Sequence, residues 1–374
     1  MVEPITVFFA GGGTGGHLYP GIAVAEKLRL RMPAAKLVFL CTTRDIDKVI
    51  LEPTGFEFIR QPIVPPVTTI GGLLRFWKSW RETKDLVRQI FRERKPTAVL
   101  GLGGYAAGVA VARAARKKIP TAIINPDVIP GKANQFLMRQ TRAVCCQFPQ
   151  TADHVPADQK SKLHITGCPI RDEIIHRPRR AQAIARLQLN PDLRTLVVTG
   201  ASLGAQTVNE GVLTMLGTTV MNQWQVLHLA GRDHASVVRA GYEKLSVPNR
   251  VIDFTPAMAD VWAVADLCIS RSGASSCAEL TACGVPSLLM PYPFHKDMHQ
   301  RANAKVLSDA GAAVLIDDEK NRGANAAKLK SAIEPLLRDD TRRLTMSKAA
   351  ASLGRPDAAD AVAGVLVSMI GSVA

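Results

Sequence analysis

The chain is poor in aromatic residues. Phe, Trp and Tyr make up 5% of its 374 residues, too few for the base-stacking platforms of single-strand binders. No basic-aromatic motif of a known nucleic-acid module occurs either, so no nucleic-acid partner is expected. No apolar run reaches the roughly 18–20 residues that a spanning helix needs, and the apolar stretch 361–374 is too short. No basic segment precedes the strand-like residues 5–10, so no secretory signal is expected. Seven cysteines form an odd set without a C-x-x-C pair, and Cys145 and Cys146 stand adjacent in an apolar run. That pattern argues against a disulfide framework or zinc site and fits buried thiols in a reducing compartment. Low-complexity tracts are absent, as are repeats of the roughly 20–50-residue period that marks solenoids and propellers.

What the chain does have is basic charge, unevenly placed. The formal net charge is +15 and the pI about 9.7. Residues 1–170 hold 24 Lys and Arg against 12 Asp and Glu, a net of +12, whereas the remainder nets only +3. The front half is therefore drawn to something anionic: a phosphate-bearing substrate, a membrane surface or nucleic acid.

Short apolar, β-branched runs alternate with longer helical patterns. The predicted strands are residues 5–10, 36–42, 98–103, 121–125 and 143–148, then 193–200, 224–230, 250–254, 267–270, 287–291 and 312–317. Continuous apolar runs of this length suit strands covered on both faces in a parallel sheet. The pattern restarts after Gly167-Cys168-Pro169 and a basic stretch. The predicted architecture is α/β, with two Rossmann-like, doubly wound parallel-sheet domains at 1–170 and 171–350 and a closing segment at 351–374.

The first strand ends in Gly11-Gly12-Gly13-Thr14-Gly15-Gly16-His17 before a helix. Glycines there let the backbone approach a ligand, and the N–H groups of the following helix favour an anion. Gly11, Gly13 and Gly16 match G-x-G-x-x-G, but the second strand ends in Cys41-Thr42-Thr43-Arg44 without the acidic residue that would hold an NAD ribose. Arg44 keeps an NADP reading open. Two more such turns follow, Gly101-Leu102-Gly103-Gly104-Tyr105 and Gly200-Ala201-Ser202-Leu203-Gly204-Ala205. Phosphate-type turns on two domains suit two phosphorylated substrates better than one dinucleotide. A fourth motif, Arg271-Ser272-Gly273-Ala274-Ser275-Ser276-Cys277-Ala278-Glu279, offers Ser272 as a helix cap, N–H and hydroxyl groups for a diphosphate, and Glu279 for a ribose. Asp45-Ile46-Asp47 is the chain's one D-x-D; opening a helix, it reads as compensation of the helix dipole.

These motifs, in this order, resemble glycosyltransferase family 28, the MurG family, over residues 5 to about 317. Its members transfer N-acetylglucosamine to undecaprenyl-pyrophosphoryl-muramoyl-pentapeptide, turning lipid I into lipid II in peptidoglycan synthesis. The resemblance implies a GT-B fold, two Rossmann-like domains facing a cleft, with a last helix packed on the N-terminal domain. It implies UDP-GlcNAc as donor, a lipid-linked pyrophosphoryl acceptor, no cofactor or metal, and a peripheral location on the cytoplasmic face of the bacterial inner membrane. Carried position by position, it implies that Thr14, Gly15, Gly16, Gly103 and Gly104 meet the substrates and that Arg171 and Ser202 bind the nucleotide sugar. Thr255 falls where backbone groups read the uracil, Ala274, Ser275, Ser276, Cys277, Ala278 and Glu279 hold the diphosphate and ribose, and Gln300 reads the sugar. The sequence departs from the family where a His-Glu-Gln-Asn run is usual: here stand Ile124-Asn125-Pro126-Asp127. Leu203 and His299 replace usual glutamines, and Cys168 a usual asparagine.

Inverting transfer needs a base for the acceptor hydroxyl and dipoles or cations for the departing UDP. His17, with an ordinary pKa near 6.5, is one candidate base and Asp127 the other. Residues 72–95 form a basic helix with Leu73, Phe76, Trp77, Trp80, Val87 and Phe91 on one face. That face either meets anionic lipid or packs on the sheet. The alternatives are a related GT-B transferase with another acceptor, a non-catalytic nucleotide-sugar binder, and an NADP oxidoreductase.

Overall fold

The computed structural model describes residues 5–67, 69–200, 204–294 and 297–371. The chain divides into two units, Met1–Arg171 with Pro356–Ala374, and Asp172–Arg355.

Among its described residues the first unit holds seven parallel strands: β1 (Thr6–Ala10), β2 (Lys36–Thr42), β3 (Glu57–Gln61), β4 (Ala98–Gly101), β5 (Thr121–Asn125), β6 (Ala143–Cys146) and β7 (Leu163–Ile165). Their order is β3-β2-β1-β4-β5-β6-β7. β1 is buried throughout, and apolar at residues 7–10, because helices cover both its faces. Val7 and Phe9 pack with Leu18, Ile22 and Leu28 of the helix Gly15–Arg31 and with Val362, Leu366 and Ile370 of the helix Ala358–Gly371. Phe8 and Ala10 point the other way, onto Val87, Ile90 and Phe91 of the helix Ile70–Arg94 and Ala107 and Val111 of the helix Gly104–Arg116. The Phe9 ring stacks on Phe39 at 4.8 Å, and Phe8 meets Phe91 edge-on at 5.4 Å. Burying each such ring stabilises the fold by roughly 1.5–3 kcal/mol. Arg31 grips Asp360 with two hydrogen bonds, 2.9 and 2.5 Å, tying the C-terminal helix to the first.

Two strands escape the sequence reading. β3 is Glu-Phe-Ile-Arg-Gln and β7 only three residues, and both lie at sheet edges. Edge strands carry polar and charged residues, which blurs their apolar signature. Gln61 closes β3 with its amide turned inward, donating to Leu40 O at 2.8 Å and Ala106 O at 3.3 Å. With β3 present, the strand ending at Gly101 is the fourth, and it lies directly beside β1.

The second unit holds β8 (Arg194–Thr199), β9 (Trp224–Leu229), β10 (Asn249–Ile252), β11 (Ala265–Ser270), β12 (Ser287–Leu289) and β13 (Ala313–Leu315), all parallel, in the order β10-β9-β8-β11-β12-β13. Leu196, Val198, Val226 and Ile269 pack against Val208 and Val212 of the helix Gln206–Leu216 and Leu329 and Ile333 of the helix Arg322–Arg338. In both sheets the strand order reverses at the first strand, β1 or β8. Loops leaving the carboxyl ends of the strands at such a reversal diverge and open a crevice. The glycine turns after β1 and β4 and the motif after β11 occupy these positions.

Candidate functional site

In the first unit the turn after β1 is built round a buried carboxylate. Asp47 is 0% exposed. Its Oδ2 accepts from Thr42 N–H at 2.8 Å and the Thr42 hydroxyl at 2.7 Å, while Oδ1 and Oδ2 share the Gly13 N–H at 2.7 and 2.9 Å. A Cβ at Gly12 would lie 2.3 Å from Asp47 Oδ2, and Gly13 holds φ at +86°, so neither position tolerates a side chain. Asp47 is therefore not a helix-dipole charge, as its sequence position suggested. Only Asp45 has the solvated setting that reading supposed, its side chain fully exposed. Residues two apart on a helix do not share a face, which is why the two carboxylates separate. Arg44 Nη1 donates to Gly13 O at 2.8 Å, so the side chain an NADP reading needs is engaged in holding the loop.

His17 lies in the first turn of the following helix. Its Nδ1 is 3.2 Å from Gly12 O and 3.2 Å from Thr14 Oγ1. A carbonyl only accepts, so Nδ1 carries the proton and Nε2 the lone pair. Gly103 and Gly104, at φ +99° and +71°, pass close to the ring; a Cβ on Gly104 would sit 3.0 Å from Cε1. Burial lowers the His17 pKa below 6.5, against the Gly12 hydrogen bond and the charges of Asp127 and Asp47, which raise it. The net lowering keeps the imidazole neutral near pH 7.

Asp127 is half-buried in the turn after β5. Its carbonyl accepts from Asn125 Nδ2 at 2.8 Å, and Asn134 Nδ2 donates to Asn125 Oδ1 at 3.1 Å and Ile124 O at 3.0 Å. Sequence reasoning missed Asn125 and Asn134 as the pair that shapes residues 124–127. Two amides, one closing an apolar strand and one on the next helix, were the available signal. Thr14 is the N-cap of the first helix, Gly15 and Gly16 open it, and Thr14 and Gly16 are exposed. Arg171 belongs to this unit, its guanidinium 4.5 Å above the centre of the Tyr19 ring on the same helix.

In the second unit, Ser202 lies outside the described residues, as do His295 and Lys296 of the Gln300 motif. Ser272 does not cap the helix Ala274–Cys283; Gly273 does, with no side-chain capping bond. The Ser272 hydroxyl instead donates to Gln300 O at 2.8 Å, and Asn303 Nδ2 donates to Ser272 O at 3.2 Å. Ser272 is wholly buried, and those bonds turn it toward the helix His299–Asp309. Cys277 N–H is used on Gly273 O at 3.0 Å, and the Cys277 and Ala278 side chains face the core. The helical period puts Ala274, which is also buried, on that inner face, whereas Ser275, Ser276 and Glu279 are half-buried on the other. Glu279 Oε2 accepts from the Trp262 indole N–H at 2.7 Å. Thr255 Oγ1 accepts from Ala257 N–H at 3.1 Å, and Gln300 Oε1 from Tyr292 N–H at 2.9 Å.

Arg271 braces this site from beneath. It pairs with Asp318 at 2.8 Å, donates to the carbonyls of Met290 and Pro291 at 3.0 Å each, and donates to Thr207 Oγ1 at 2.7 Å. One guanidinium thus joins the segments following β11, β12 and β13 to the helix after β8. Burial alone would raise the Asp318 pKa, but hydrogen bonds from Thr207, Asn325, the Lys320 amide and Arg271 hold it below the usual carboxylate value.

The basic helix divides along its length. Val87, Ile90 and Phe91 are buried against the sheet, whereas Ile70, Leu73, Leu74 and Trp77 are exposed, Ile70 at 82% and Trp77 at 58%. Arg75, Lys78 and Arg81 are exposed beside them. The packing reading of the apolar face holds for the C-terminal half, and the N-terminal half leaves its apolar residues exposed. Among the described residues, no helix is long and apolar enough to cross a membrane.

Comparison with known proteins accounts for both units. The signature of the glycosyltransferase family 28 N-terminal domain matches residues 7–146, and that of the family 28 C-terminal domain matches residues 195–362. The chain is 33% identical to the UDP-N-acetylglucosamine–N-acetylmuramyl-(pentapeptide) pyrophosphoryl-undecaprenol N-acetylglucosamine transferase of Thermodesulfovibrio yellowstonii, over 97% of this chain and 98% of that one. It is 35% identical to the protein of the same name from Anaeromyxobacter dehalogenans, over 96% and 92%. Among solved structures, MurG of Acinetobacter baumannii superposes with a TM-score of 0.76 at 24% identity, covering 98% of this chain and all of the other. The UDP-GlcNAc 2-epimerase of Neisseria meningitidis shares the fold at a TM-score of 0.71 and 12% identity, over 97% and 100%. Two Rossmann-like units, two domain signatures and near full-length similarity agree: the chain belongs to glycosyltransferase family 28, the MurG family.

Proposed function

We propose that the chain transfers N-acetylglucosamine, with inversion, from UDP-GlcNAc to the muramoyl sugar of an undecaprenyl-pyrophosphoryl-pentapeptide acceptor, the step that makes lipid II. The observation that carries the chemistry is His17: a neutral imidazole whose Nδ1–H is held by Gly12 O at the first glycine loop, leaving the Nε2 lone pair on the side of the Gly103-Gly104 turn. The acceptor hydroxyl oxygen bonds to the anomeric carbon as the bond from that carbon to the UDP oxygen breaks. Nε2 takes the hydroxyl proton. The Asp127 charge, which favours the protonated ring, stabilises the imidazolium, so Asp127 assists and His17 is the base. The departing diphosphate is stabilised by the N-terminus of the helix Ala274–Cys283 and the hydroxyls of Ser275 and Ser276. Glu279 accepts from the ribose hydroxyls, the turn at Thr255 reads the base, and Arg171 adds a cation on the nucleotide sugar.

The lipid acceptor accounts for the exposed apolar and basic end of the helix Ile70–Arg94. Ile70, Leu73, Leu74 and Trp77 enter the interfacial layer, and Arg75, Lys78 and Arg81 meet anionic headgroups at the cytoplasmic face, each worth about 1 kcal/mol.

His17→Ala tests the chemistry. Turnover falls at least about 100-fold, while UDP-GlcNAc still raises the melting temperature as in the wild type. Turnover like the wild type would remove His17 from the reaction. The Ile124–Asp127 departure favours one second reading, a family 28 transferase with a different acceptor. It predicts stabilisation by UDP-GlcNAc without turnover on a lipid I analogue.

A further inference from the structure

We infer that Trp262 is a positioning residue for nucleotide recognition, orienting the Glu279 carboxylate toward a ribose diol. The inference rests on the reading of Glu279 as the ribose acceptor. Trp262 lies on the helix Met258–Val264 and is 4% exposed. An indole N–H is a donor only, and when buried it needs an acceptor. Trp262 gives it to Glu279 Oε2 at 2.7 Å, the length of a charge-assisted bond.

That bond has a geometric consequence. The terminal torsion of a glutamate is broad, so an untethered carboxylate samples many orientations. A ribose presents two hydroxyl donors at fixed spacing, and both are accepted only by a carboxylate turned to match. A carboxylate offers about four acceptor positions, and the indole bond fixes its plane while using one of them. The anchor is itself held. Arg186 pairs with Asp260 on the same helix at 2.8 Å. Thr255 Oγ1 accepts from Ala257 N–H where the chain enters that helix. One short helix therefore starts at the turn assigned to the base and carries, about a turn later, the group that sets the ribose carboxylate. Base reading and ribose reading are coupled through it.

The test is the affinity for UDP against 2′-deoxy-UDP, by titration calorimetry on the full chain. Trp262→Phe keeps most of the ring bulk and removes the N–H. The wild type prefers UDP. In Trp262→Phe the affinity for UDP falls about tenfold, the worth of one hydrogen bond to a charged group, that for 2′-deoxy-UDP changes little, and the preference collapses. The KM for the donor rises with kcat unchanged. A Trp262→Phe protein that keeps the wild-type preference overturns the inference while leaving Glu279 on the ribose. A wild type that does not distinguish the two nucleotides removes Glu279 from the ribose, and the inference with it. Should Trp262→Phe fail to fold, 3-benzothienylalanine at position 262 exchanges N–H for sulfur at nearly constant shape, and the same outcomes decide.

Discussion

Replacing Asp47 with Asn separates two accounts of one carboxylate. As a surface charge near a helix N-terminus, Asp47 would contribute about 0.3–1 kcal/mol. In the structure it is fully buried and receives three donors: Thr42 N–H, the Thr42 hydroxyl and Gly13 N–H. An amide keeps one oxygen and turns an NH2 group toward a donor. One buried N–H then loses its acceptor, at about 1–3 kcal/mol, and the remaining bonds weaken from charge-assisted to neutral. The sum is about 3 kcal/mol, or a fall in melting temperature of about 6–12 °C for a unit of this size. Calorimetric melting of wild type and Asp47→Asn measures it. The same change releases Gly13 and loosens the Gly12 carbonyl that fixes His17, so turnover falls as well. A melting temperature within about 2 °C of wild type would refute the clamp.

His228 gives a pH test in the second unit. It is fully buried between Tyr242 OH and Asn209 Oδ1, each at 3.0 Å, and burial pushes its pKa down to about 3 from 6.5. The folded state binds fewer protons than the unfolded one, so stability is full above pH 6.5 and declines as the pH falls toward 3. Urea unfolding shows a loss of about 2 kcal/mol between pH 6.5 and pH 5, to which His17 adds with the same sign. His228→Gln, though less stable throughout, flattens this dependence; an unchanged slope would exclude His228 as its source. At the exposed end of the helix Ile70–Arg94, Trp77→Ala with Lys78→Ala lowers sedimentation with anionic vesicles at low salt and leaves UDP-GlcNAc binding unchanged. Equal binding of the wild type to neutral and anionic vesicles would sink the electrostatic part.

The glycine turns were readable in the sequence because several glycines at a strand end mark a backbone that another group approaches closely; at Gly12 that group is Asp47 and at Gly104 it is His17. The twofold α/β plan was readable because strands covered on both faces carry continuous apolar runs, as residues 7–10 of β1 and 196–198 of β8 do. The edge strands were not, since half of β3 faces solvent and its inward residue is Gln61. Asp47 was misread because its partners Gly13 and Thr42 lie on other elements, and no local pattern marks a carboxylate that caps a loop 34 residues back. Ser272 was misread for the same reason: its partner, Gln300 O, is 28 residues away. A motif quoted as a run mixes both faces of a helix: Cys277 and Ala278 turn their side chains inward, and Ser275, Ser276 and Glu279 lie on the other face. The Trp262–Glu279 bond has no local signature and needed the fold.

Incubating the full chain with UDP-GlcNAc and a short-chain lipid I analogue, then identifying the product by mass and the new linkage by NMR, decides whether it is a donor-specific transferase. Glycosyl transfer to the lipid-linked acceptor gives an added N-acetylhexosamine in β linkage, one UDP released for each product formed, and no UDP release without acceptor. UDP released equally without acceptor, or an unmodified acceptor beside a protein that binds UDP-GlcNAc, would contradict it.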